Sequence, residues 1–260
     1  MPTPDLGSPK YIVGFTVVLC GVCAIFVSSA AVGLKDRQDL NKVVDRQSKV
    51  LAVAGLTKTG EKLASNAVLE RFEENVVARV VDLETGDYVD DVDAATFDQR
   101  AAAKDPERSK PAPDNAARVQ RVPNRGLVYQ VLEGGEVKTT VVPISGYGLW
   151  STMYGFLALD RDGRTVEGIT FYEHGETPGL GGEIENPRWQ SLWKGREVYD
   201  DAGAVALEVI KGAAKPASEA PHQVDGISGA TITSRGVTAT IQFWLGPDGY
   251  GPYLAKGSKS

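Results

Sequence analysis

The chain has 260 residues, 42% of them apolar and 24% charged, with a formal net charge of −6. These proportions exclude a disordered chain, a collagen-like chain and a multi-span membrane protein. The acidic balance argues against a nucleic-acid partner, which needs a basic stripe or patch.

Residues 11–34 read YIVGFTVVLCGVCAIFVSSAAVGL and carry no charge; Lys10 and Lys35 bracket them. As a helix this stretch reaches about 36 Å, enough to cross a hydrocarbon core of ~30 Å. The rival reading is a cleaved signal peptide, with Lys10 as its basic start and Ser28-Ser29-Ala30 as its cleavage site. Signal cores run ~7–15 apolar residues, so the length favours a retained anchor in membrane lipid. Cys20 and Cys23, the only two cysteines, lie inside this stretch. They read as small apolar residues beside Gly21 and Ala24, and the body of the chain has no disulfide framework. Lys35, Arg37, Lys42, Arg46 and Lys49 follow the stretch, whereas only Lys10 precedes it. That count keeps the C-terminal part in the cytoplasm, although long domains translocate largely regardless of charge.

The expected organisation is a tail over 1–10, a transmembrane helix over 11–34, a helical juxtamembrane segment over 35–58 and a soluble domain over 59–260. Leu40, Val43, Val44 and Leu51 have helical spacing, which Gly55 ends. Leu63, Val68, Phe72 and Val76 predict a further helix over 59–76, followed by a strand over 77–83 and a turn over 84–87. Residues 90–117 are rich in Asp, Ala, Lys and Pro and read as a surface excursion. Residues 127–132 and 137–144 flank Glu133-Gly134-Gly135 as a hairpin; 152–160 and 164–172 flank Asp160-Arg161-Asp162-Gly163 as another. A short strand is expected over 207–210 and a helix over 232–245, ended by Gly246. Antiparallel hairpins with peripheral helices predict an α+β domain.

Glycine numbers 29, about 11% against a usual ~7%, and much of the excess lies in three stretches. These are Ser145–Trp150, Glu176–Gly182 and Asp225–Thr231. None is a Walker loop or a dinucleotide fingerprint. Small residues and hydroxyls let backbone N–H groups approach an anion or a flat ring. Thr231 opens the last expected helix, where a phosphate meets unpaired N–H groups and the positive helix end. Thr231 or Ser228 serving only as an N-cap is the plainer alternative. His174 and His222 are too few and too far apart for zinc, Asp90, Asp91 and Asp93 lack the rest of a calcium loop, and no G-x-S-x-G occurs. No catalytic or metal-ligating residue is expected.

The stretch DGISGAT (Asp225–Thr231) resembles the flavinylation motif D-x-x-S/T-G-A-T of FMN-binding domains. Together with GYGLWSTMYGFLAL (Gly146–Leu159) and HGETPGLGGEIENPRW (His174–Trp189), it resembles the family of the C subunit of Na+-translocating NADH:quinone oxidoreductases. The apolar N-terminal stretch and the length also fit. The resemblance implies one FMN held by a phosphoester on Thr231, installed from FAD by a Mg2+-dependent flavin transferase. It implies that Asp225 is read by the transferase and that Ser228, Gly229 and Ala230 wrap the phosphate. Glu176, Thr177, Leu180 and Gly181 would lie along the flavin ring, with Trp150 and Ser151 in the same pocket. The implied role is an electron relay among subunits A, B, D, E and F, in NADH-to-ubiquinone transfer coupled to Na+ export. The family places its soluble domain on the periplasmic side of the bacterial inner membrane, against the simple charge count. A relative of the G subunit of the Rnf complex and a non-redox anchored binding module are the alternatives.

Overall fold

The structure is a computed structural model that describes residues 8–57, 61 and 63–257. It has two units, residues 1–45 and 46–260. Helix α1 (Pro9–Val53) runs without a break through the stretches expected as membrane and juxtamembrane segments. Its part Pro9–Lys35 has a mean hydropathy of 2.4 and no buried residue, and is long and apolar enough to cross a membrane. The second unit begins earlier than the expected residue 59. Val50, Leu51 and Val53 near the end of α1 are buried, which makes that turn part of the folded core.

Helix α2 (Ser65–Asn75) follows, shorter than the expected 59–76; residues 58–60 and 62 lie outside the described residues. Strand β1 (Val76–Asp82) comes next, then α3 (Gln99–Lys104), β2 (Ser109–Pro111) and β3 (Arg121–Pro123). Strands β4 (Arg125–Glu133), β5 (Glu136–Tyr147), β6 (Thr152–Asp160) and β7 (Val166–Glu173) form the two expected hairpins. They join β1 in a five-stranded antiparallel sheet of order β1-β4-β5-β6-β7. Asp162 closes the second hairpin by accepting hydrogen bonds from the N–H groups of Arg164 and Thr165.

A 3-10 turn (Gly181–Glu185) and α4 (Pro187–Ser191) lead to β8 (Glu208–Val209), which pairs in parallel with β9 (Gln223–Val224). Helices α5 (Thr231–Leu245) and α6 (Gly251–Gly257) complete the chain. The arrangement is α+β, as expected from the hairpins.

Both faces of the sheet are covered. Val142, Ile144, Leu157, Ile169 and Phe171 point into the cluster that holds Val237 and Ile241 of α5. On the other face Phe72 of α2 meets Tyr129 edge-on at 6.0 Å, and Tyr129 meets Phe156 at 5.9 Å. Double burial explains why the strands read as nearly continuous apolar runs instead of alternating ones.

Most of the 90–117 segment is exposed or half-buried, and a few of its residues are anchored in the fold. Phe97, Ala102 and Ala117 are buried, and the side chain of Gln99 accepts the Leu127 N–H at 2.7 Å. These isolated buried residues are too few to raise the segment's average hydrophobicity.

Candidate functional site

The three glycine-rich stretches meet at one place. Strand β5 ends at Tyr147, and the Gly148 N–H closes the next turn on the Ser151 carbonyl at 2.9 Å. The segment after β7 brings in Glu176, and the loop after β9 runs into the start of α5. Glu176 joins them. Its carboxylate accepts hydrogen bonds from the N–H groups of Leu149 at 3.1 Å and Trp150 at 2.9 Å. A longer bond comes from Ser151 N–H, and the Thr233 hydroxyl of α5 donates at 2.5 Å. Burial of Glu176 pushes its pKa up, but the Thr233 hydroxyl and the Trp150, Leu149 and Ser151 amides outweigh this. The net effect lies below the ordinary carboxylate value, so Glu176 is ionised at neutral pH.

The family resemblance puts Glu176 along a ligand; the geometry gives its carboxylate to the protein. Ser151 has a similar part: its hydroxyl accepts the Gly175 N–H at 2.6 Å. His174 Nδ1 accepts the Glu176 N–H at 3.1 Å, and its Nε2 lies 3.1 Å from a Glu185 carboxylate oxygen. Gly181 is also explained by the protein. A side chain there would place Cβ 2.6 Å from Thr233 Oγ1 and 2.8 Å from Glu176 Oε2. Gly229 is required by its φ of +73°. Part of the glycine excess therefore serves loop-on-loop packing instead of ligand approach.

Asp225 is half-buried. It accepts the Ala214 N–H on Oδ1 at 2.9 Å, and its carbonyl accepts the Trp189 indole N–H at 2.8 Å. These bonds hold the loop that delivers α5.

The start of α5 is the chemically open part. Ala230 occupies the N-cap position and makes no side-chain cap bond; Thr231 is the first helical residue. The alternative that Thr231 or Ser228 serves as the cap is therefore not what the structure shows. Among the described residues, the N–H groups of Thr231, Ile232 and Thr233 have no acceptor, whereas Ser234 N–H bonds the Ala230 carbonyl at 2.9 Å. Thr231, Ser228 and Thr177 are exposed, and none of their hydroxyls has a hydrogen-bond partner among the described residues. An anion placed there meets three free donors and the positive helix end, worth roughly 0.3–2 kcal/mol.

Around this point stand exposed apolar side chains: Trp150 (62%), Ile232 (53%), Leu180 (44%) and Leu149 (40%). An apolar rim beside a polar helix end fits a molecule with a phosphate and a flat ring, so the residues present fit FMN. Thr233, Ile232 and Leu149 are site residues that the sequence does not single out. No local signal marks them, because Thr233 acquires its role from a residue 57 positions away. Among the described residues no cluster of three or more potential metal ligands occurs.

Comparison with known proteins agrees with this geometry. The FMN-binding domain family matches residues 148–246, which include every residue of this site. The C subunit of Na(+)-translocating NADH-quinone reductase from Vibrio vulnificus is 49% identical over 251 residues, 96% of this chain and 95% of its own. The chain belongs to the family of the C subunit of Na(+)-translocating NADH-quinone reductase. Two solved structures share its fold. Shewanella oneidensis NqrC matches with a TM-score of 0.77 and 35% identity, over 86% of this chain and all of that one. The Parabacteroides distasonis relative, a C subunit of the same reductase, matches with 0.67 and 27%, over 85% and 96%. The α+β architecture of this chain is thus the fold of that family.

Proposed function

We propose that this chain carries one FMN as a phosphoester on Thr231 and uses it to relay electrons within the sodium-pumping NADH:ubiquinone oxidoreductase. The observation that carries this reading is the start of α5, where an exposed, unpartnered hydroxyl stands among three free N–H donors. In the maturation step, Thr231 Oγ bonds to the FMN phosphorus of FAD, the bond to AMP breaks, and AMP leaves with the hydroxyl proton. The chain needs no base of its own, because a flavin transferase with Mg2+ activates this weak nucleophile.

Bound FMN supplies reversible electron uptake and release. The protein supplies placement. Ser228, Gly229 and the α5 amides hold the phosphate, Thr177 offers a hydroxyl beside it, and Leu180, Trp150, Leu149 and Ile232 cover the ring. Glu176 keeps the three loops in register through Thr233. Pro9–Lys35 crosses the inner membrane and places the domain on the periplasmic side, among subunits A, B, D, E and F.

Co-expression with a flavin transferase tests the attachment. The parent chain gives a fluorescent band on a denaturing gel under ultraviolet light; Thr231→Ala is dark, and Thr233→Ala and Ser228→Ala keep a band, weaker than the parent's. A dark parent with an active transferase, or a bright Thr231→Ala, overturns the reading.

A further inference from the structure

Away from Thr231, a cavity of about 500 Å3 is lined by the segment around α3 and β3 and by strands β4 to β7. It contains none of the residues assigned to the Thr231 site, so its role is independent of that assignment. Its walls carry five cations, Arg46, Arg100, Lys104, Arg118 and Arg121, against one carboxylate, Asp98. In a chain of net charge −6 this is a local reversal of sign.

The charges differ in availability. Arg100 makes two bonds to Glu173, at 2.6 and 2.8 Å, and its guanidinium sits 3.6 Å over the Tyr154 ring. Arg121 is bonded to Ser109 through both hydroxyl and carbonyl. Asp98 is turned to the start of α3, where it accepts the Arg100 and Ala101 amides. Lys104 and Arg118 are exposed, and among the described residues neither side chain forms an ion pair or hydrogen bond. Arg118 lies 5.2 Å from the centroid of Tyr147.

Arg118 is also held in an unusual way. Among the described residues it alone, apart from glycines, has a positive φ, of 54°. Asn115 fixes that turn: its side chain donates to the Pro113 and Val119 carbonyls and accepts the Val119 N–H. From this left-handed backbone position Arg118 lines the cavity. Half-buried Tyr147, Tyr154 and Tyr172 present aromatic surface beside it, and Tyr172 is stacked at 5.1 Å on buried Phe156.

We propose that this cleft binds a small planar aromatic molecule bearing an anionic group. The ring packs on the tyrosine wall, and the anion meets Arg118 and Lys104. Cation and aromatic faces together recognise this class, and a cavity of this size accommodates it.

The probe is AMP, with adenosine and inorganic phosphate as the halves that lack charge or ring. Equilibrium dialysis on the full-length flavinylated chain in non-ionic detergent is expected to show one AMP per chain. Adenosine and phosphate should each bind at least tenfold more weakly. Arg118→Gly, which suits the left-handed backbone and removes only the side chain, should weaken AMP at least tenfold. Lys104→Ala should weaken it severalfold, and Lys211→Ala, outside the cleft, should have no effect. Retained in-gel flavin fluorescence confirms that each variant folds. No AMP uptake, phosphate binding as tight as AMP, or equal binding in Arg118→Gly and parent each overturns the proposal. Equal binding would place AMP outside this cleft.

Discussion

Thr233 Oγ1 donates a hydrogen bond of 2.5 Å to Glu176 Oε2, joining α5 to the loop after β7 inside the protein. The same carboxylate holds the backbone amides of Leu149 and Trp150. The position of Thr231, two residues before Thr233, is therefore tied to a buried charge that the protein itself holds in place.

Removing that charge should loosen the whole site. Glu176→Ala leaves the Thr233 hydroxyl and three amides without their acceptor, a loss of about 2–4 kcal/mol. At roughly 2–4 °C per kcal/mol for a domain of this size, a thermal melt should fall by about 5–15 °C. An unchanged melting temperature would show that the loops hold together without it.

The same group sets a pH dependence. Its folded pKa lies below its ordinary value of 4.5, so its contribution is present above that value. The contribution is lost as pH falls through the lower folded pKa. Glu173 beside Arg100 and Asp162 at its turn are shifted in the same direction. The parent should lose stability as pH falls below about 4.5. Glu176→Gln, less stable at neutral pH, should lose less over that range. Parallel acid limbs in denaturant titrations of the two proteins would contradict the assignment.

Gly181→Ala tests the packing around the pair. Its Cβ would lie 2.6 Å from Thr233 Oγ1, so the bond to Glu176 must open. Overpacking of this kind costs about 1–3 kcal/mol. Urea unfolding should register that loss, together with a lower flavin content per chain.

Asp225 separates a structural part from a recognised one. Asp225→Asn keeps an oxygen for the Ala214 N–H, so stability should change by less than about 0.5 kcal/mol. If the transferase reads the carboxylate, flavin incorporation falls severalfold while the melt is unchanged. Full incorporation would leave Asp225 a purely structural residue.

The hairpins are legible in the sequence because their signals are local. The Asp-Gly turn and apolar runs on both sides specify them within about twenty residues, and α5 ends at the expected Gly246. The anchoring of 97–117 is not legible, since Gln99 is held by Leu127 and Tyr250, 28 and 151 positions along the chain. The β8–β9 pair is half legible: two-residue parallel strands leave no periodicity, and only the first is expected. At the site, Thr231 carries its own motif. The buried role of Glu176 does not, because its partners at Leu149, Trp150 and Thr233 come together only in the fold.

Everything proposed for the start of α5 requires that Thr231, and no neighbouring hydroxyl, carry the flavin. Trypsin cleaves after Lys211 and Arg235 but not before Pro216, so the peptide Gly212–Arg235 contains Ser228, Thr231, Thr233 and Ser234 together. Fragmentation mass spectrometry of that peptide from the flavinylated chain should place a gain of FMN minus one water on Thr231. The same gain on Ser228 or Thr233, or an unmodified peptide from a chain co-expressed with active transferase, contradicts the assignment.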